Sequence, residues 1–177
     1  MTRQRSSSVV ALTLLSLAAA LPGHQAFGQT LKEQLVGSWT LTDLSAVTWD
    51  GDDRNPFGPA PEGRMIFDRS GTVTCLIIGT KRPKFTLGDR LAGSPEENRA
   101  AVQSTQAFYG TYSVNEDDST VVFHVERSSF PNWEGTSQVS VITINGDKLD
   151  QTKSGPRASW GYAIWQRVPG GKLALND

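Results

Sequence analysis

The stretch QVSVITINGDKLDQT, residues 138–152, decides the fold. Gln138–Asn145 is rich in β-branched residues, Lys148–Thr152 resumes after two, and Asn145-Gly146-Asp147 at the junction has the chemistry of a tight hairpin turn. Reading outward from this hairpin, the same theme recurs at Arg64–Asp68, Thr72–Ile78, Tyr109–Val114, Thr120–Ser128 and Ser159–Arg167. A first strand starts at Gly37-Ser38-Trp39 and alternates through Leu41, Asp43 and Ser45, after a short helical lead-in over Leu31–Val36. About eight strands result.

The links carry more information than the strands. Links two, four and six are tight, at Asp68–Gly71, Asn115–Ser119 and Asn145–Asp147, whereas links one, three, five and seven are long, at Trp49–Gly63, Gly79–Phe108, Phe130–Ser137 and Lys153–Ala158. Alternate links of an up-and-down meander lie at the same end. The expected fold is therefore all-β, an eight-stranded up-and-down barrel with a long-looped mouth and a tight-turned floor. The third link holds the one clear internal helix. Ser94 suits its N-cap, Pro95 its first position and Glu96 and Glu97 its dipole, and it is expected to reach about Ala107.

Residues 1–28 read as a secretory signal peptide. Arg3 and Arg5 lead an apolar run, Val9–Leu21, too short for a membrane span, and cleavage after Gly28 places small residues, Ala26 and Gly28, at the cleavage site. A periplasmic or secreted protein is expected, with residues 29–177 forming the barrel domain and no Cys directly following the run to carry a lipid anchor. Removing Arg3 and Arg5 from 17 basic residues leaves 15 against 18 acidic ones, without a basic cluster, which argues against a nucleic-acid partner. His24 leaves with the leader, so His124 is the remaining imidazole and Cys75 the lone thiol. That set is too small for a usual zinc or haem site, and no metal or cofactor is expected. Asp50, Asp52 and Asp53 lack the glycine and glutamate offsets of a calcium loop.

Gly37-Ser38-Trp39 resembles the lipocalin signature at the start of the first strand, with Arg167 matching the basic residue that covers the tryptophan. Residues 55–63 (NPFGPAPEG), Ser94–Asn98, Tyr109-Gly110-Thr111-Tyr112 and residues 129–136 (SFPNWEGT) narrow this to a resemblance to the bacterial and fungal lipocalin-like domain family, over nearly all of the mature chain. It implies a calycin-type barrel and a cation–π pair between Arg167 and Trp39. It carries over no reaction or ligand. Where relatives favour a second histidine, this chain has Val122.

Two readings of His124 stay open at this stage. Ordinary alternation puts His124 and Glu126 on the outer wall, opposite Val121, Phe123 and Val125; a polar lumen would instead set His124 beside Asp43 as an acid–base pair. Arg64 and Arg82 are candidates to grip a carboxylate or phosphate at the mouth, Trp133 to serve as a rim platform, and Tyr112, Trp160 and Tyr162 to line the lumen. The last strand is expected to turn Trp160, Tyr162 and Ile164 inward and its small face, Gly161 and Ala163, outward. Binding of a small, largely apolar or amphipathic molecule in the cavity leads. The alternatives are a cavity enzyme using His124 (an isomerase, cyclase or hydrolase) and a protein-interaction module working through its mouth loops. The oligomeric state is left open.

Overall fold

Eight antiparallel strands close into a barrel in strict sequence order, β1 to β8, with the last paired back to the first. The computed structural model describes residues 28–45, 56–154 and 161–170. The strands are β1 (Gly37–Ser45), β2 (Glu62–Phe67), β3 (Thr72–Ile78), β4 (Thr105–Asn115), β5 (Thr120–Ser128), β6 (Ser137–Asn145), β7 (Lys148–Ser154) and β8 (Tyr162–Arg167). Two helices accompany them, α1 (Leu31–Leu35) and α2 (Pro95–Gln103), with one turn of 3-10 helix at Pro131–Trp133. Closure gives each of these strands a neighbour on both sides, which reduces the pairing liability of an open meander.

The tight links fold as their residues require. Gly146 takes φ 60° in the turn between β6 and β7, and Gly71 takes φ 91° between β2 and β3, conformations that cost a residue with a Cβ. α2 begins as expected: Ser94 Oγ accepts from Glu97 N–H, and the Glu97 carboxylate accepts from Ser94 N–H. It ends earlier than expected, at Gln103. Thr105 and Gln106 pair with Ile78 and Ile77 instead, so the sheet ladder takes what was read as the last helical turn. None of its side chains is buried.

The core fills the barrel's floor. Trp39 is fully buried, its indole N–H donates to the Leu35 carbonyl (2.8 Å), and the Arg167 guanidinium lies 4.0 Å over its ring. Arg167 also donates to the carbonyls of Val36 (3.0 Å) and Gln34 (2.7 Å), and its Nε is 3.3 Å from the Asp147 carboxylate. The expected tryptophan–arginine pair is present, and it doubles as a clasp on α1. Phe67 meets Tyr112 edge-on at 5.0 Å above this layer.

Two bulges decide which side chains face inward. In β1 the register shifts between Leu41 and Asp43, so Thr42 and Asp43 are both exposed and Leu44 turns in. In β5, Tyr109 and Gly110 face Arg127 and Val125, leaving Glu126 as the extra residue. Among the described residues, no helix is long and apolar enough to cross a membrane.

Candidate functional site

The barrel's mouth half differs from its floor in being lined by polar groups. Leu149 is a core residue, and the two-residue period of β7 carries Gln151 and Lys153 onto the same face towards the long-looped end. Ile142 does the same for Ser140 and Gln138 on β6. On β4, Gln106 sits two residues from the inward Phe108. The Gln151 side chain ties two strands together, donating to Ser140 Oγ (3.0 Å) and accepting from the Trp165 indole N–H (3.0 Å). Gln106, Gln138, Ser140, Gln151 and Lys153, with Met65, Cys75, Phe108, Phe123 and Trp133, surround a cavity of about 10 Å³, room for roughly one water.

Trp133 closes this space. It ends the 3-10 turn, where its N–H donates to the Phe130 carbonyl (3.0 Å), and its ring meets Phe108 and Phe130 edge-on at 6.2 and 6.1 Å. The Lys153 Nζ lies 3.9 Å from the ring centroid. Burial brings the Lys153 ammonium down to about 8, with Cys75 acting weakly in the other direction. The Cys75 thiol, wholly buried, is pushed up to about 12 by the same loss of water.

His124 and Glu126 are exposed on the outer wall, opposite the buried Val121, Phe123 and Val125. The imidazole there sits between two hydroxyls, Ser113 Oγ at 3.2 Å from Nε2 and Ser137 Oγ at 3.0 Å from Nδ1. Asp43 is not its partner, because the β1 bulge turns that carboxylate outward. A polar lumen built on His124 and Asp43 is therefore not what forms; the polar lumen is built on β4, β6 and β7.

Arg64 and Arg82 also leave the expected place. Arg64 donates to Thr40 Oγ1 (2.6 Å) and Arg82 to Thr105 Oγ1 (3.3 Å), and both border an open groove of about 450 Å³ with Glu62, Leu76 and Ile78. That groove is outside the barrel, since Glu62 and Arg64 alternate with the inward Gly63 and Met65.

The two faces of β8 are reversed from expectation. Ala163, Trp165 and Arg167 point inward, whereas Tyr162 is on the outer wall and donates to the Asp150 carboxylate. The inward Arg167 enforces this by parity. Tyr112 does point inward, but at the floor, where its hydroxyl donates to the Asp68 carbonyl (3.1 Å). Trp133 alone of the expected lining residues meets the mouth cavity, and Trp160 lies outside the described residues. Lys153, Gln151, Ser140, Gln138 and Gln106 were not expected, although the period-2 pattern running up from Leu149 and Ile142 points to the first four.

The chain is 33% identical over 108 residues to a 4'-hydroxy-3'-methoxypropiophenone carrier protein of Aspergillus oryzae, a match taking in 55% of this chain and 97% of that relative. Among solved structures it is similar to a REP1-NXSQ fatty acid transporter, with a TM-score of 0.36 and 12% identity over 76% of this chain and 96% of that one. Residues 36–168 match the family model of the lipocalin-like domain, and with that match, the closed eight-stranded barrel and the Trp39–Arg167 floor, the chain belongs to the lipocalin-like domain family.

Proposed function

We propose that this protein is an exported carrier that holds a small, largely apolar molecule with one polar end inside the mouth half of its barrel. The carrying observation is the buried polar lining. Packing alone calls for apolar side chains at inward positions, and burying amides, a hydroxyl and an ammonium there costs free energy that a fold-only core avoids. Here Gln106, Ser140 and Gln151 are buried and Lys153 is partly so, beside Met65, Phe108 and Phe123. The relative named for carrying an aryl ketone supports the same ligand class, an aromatic body with a few oxygens. Lys153 takes the part that Arg64 and Arg82 cannot take from outside.

The resting cavity is far smaller than such a molecule. Entry therefore displaces the Trp133 ring, which rides on a three-residue turn in a link and is held by edge contacts and one cation. The ligand replaces that ring against Phe108 and Lys153. Because Trp133 turns onto the lumen, a lid role fits it better than docking of a partner chain. With His124 on the outer wall, the described residues bring no imidazole to the lumen.

The test uses protein recovered from the exported fraction, whose first residue should be Gln29, titrated with 4'-hydroxy-3'-methoxypropiophenone and followed by calorimetry. One-to-one saturable binding is expected, weakened about tenfold or more when Gln151→Leu removes a polar group from the lining. Absence of saturable binding to this ketone and to a fatty acid, in protein shown to be folded, would sink the carrier reading.

A further inference from the structure

We propose that Lys153 captures a carbonyl-bearing ligand covalently, as an imine between its Nζ and the ligand's aldehyde or ketone carbon. This rests on the lumen-binding reading above and adds a reaction to it. The placement carries the inference. Lys153 reaches the cavity from the mouth end of β7, and the Trp133 ring covers its nitrogen at 3.9 Å, so a flat molecule that replaces this ring arrives on the amine. Met65, Phe108 and Phe123 line the same cavity and provide apolar contact for the rest of such a molecule.

The surroundings also favour the reactive form. An amine brought down to about 8 is neutral in roughly a tenth of molecules at pH 7, against roughly one in three thousand for an ordinary lysine. Cys75, from β3, is the other titratable group lining this cavity among the described residues. Its thiol, pushed up to about 12, stays protonated and is a poor competitor. The chemistry balances without an oxidant or reductant. The nitrogen lone pair attacks the carbonyl carbon, the C=O pair moves to oxygen, and proton transfer from nitrogen to oxygen gives a carbinolamine. Loss of that hydroxyl as water leaves the C=N bond. The remaining N–H proton leaves with that hydroxyl, so capture releases one water, and release is the hydrolysis that adds it back and returns the ligand unchanged.

The experiment uses the full chain with 4-hydroxy-3-methoxybenzaldehyde as probe, the corresponding benzyl alcohol as its carbonyl-free analogue, and sodium cyanoborohydride to fix any imine as a secondary amine. Peptide mapping by mass spectrometry should place one adduct per chain on Lys153, formed at least about tenfold faster than on an exposed lysine such as Lys148. Its rate should rise with pH through an inflection near 8 rather than above 10. Lys153→Arg and Lys153→Met should both lose the adduct at this position, with circular dichroism and a cooperative urea transition showing that each variant is folded, and two variants guard against one failing to fold. Binding of both probes without trapping, or trapping spread over the exposed lysines, overturns the imine and leaves the carrier reading standing. Binding of neither probe overturns both.

Discussion

At the scale of single residues, Lys153 is a side chain whose placement works against folding. Its ammonium is partly withdrawn from water, and the amine sits near 8 instead of 10.5. Between these values the unfolded chain binds more protons than the folded one, so stability rises with pH across that window. Below about pH 8 the penalty is fully present, on the order of 3 kcal/mol at most. Lys153→Met should therefore be more stable than the parent in urea at pH 7, with the difference shrinking as pH approaches 10. A difference that stays constant from pH 7 to 10 would mean that the amine titrates like an exposed lysine. That a folding cost is retained at this position is what a functional group in a packed lumen looks like. The same residue shows why the site was only partly legible: β7 was expected to stop at Thr152, which put Lys153 in a loop, whereas the strand runs on to Ser154 and turns Lys153 into the lumen.

At the scale of elements, the two-residue period made the faces of β5 legible, whereas the bulge in β1 hid the outward turn of Asp43. His124 followed ordinary alternation, but Asp43 did not, because an extra residue in β1 turns two successive side chains outward. β8 was misread for a different reason. Bulk was taken as the sign of the inner face, yet Arg167, placed inside by its partner Trp39, fixes Trp165 and Ala163 inward and Tyr162 outward by parity. The β5 bulge gives the sharpest test of this geometry. A Cβ added at Gly110 would sit 2.0 Å from the His124 carbonyl oxygen and 3.0 Å from the Glu126 nitrogen, both backbone atoms that cannot swing aside. Gly110→Ala should destabilise the barrel by about 3 kcal/mol or more, read as a lower urea midpoint with an unchanged slope. A shift under about 0.5 kcal/mol would show that the β4–β5 pairing relaxes freely.

At the scale of the molecule, the barrel divides its labour between two ends. Tight turns, α1 and the Trp39–Arg167 clasp make a floor of apolar packing, while among the described residues the mouth half has a partly polar lining over which Trp133 packs. The alternation of long and tight links made this division legible before any contact was known. The identity of the lining was not, since it depends on which strand ends reach the lumen. Entry of a ligand into the mouth half is decided by backbone and indole NMR during titration with 4'-hydroxy-3'-methoxypropiophenone. The account predicts saturable shifts of the Trp133 and Trp165 indole N–H signals and of the Gln106, Gln151 and Lys153 amides, with Arg64, Arg82 and His124 unmoved. Shifts confined to the outer groove at Arg64, Leu76 and Arg82, with both indole signals unchanged, would contradict it.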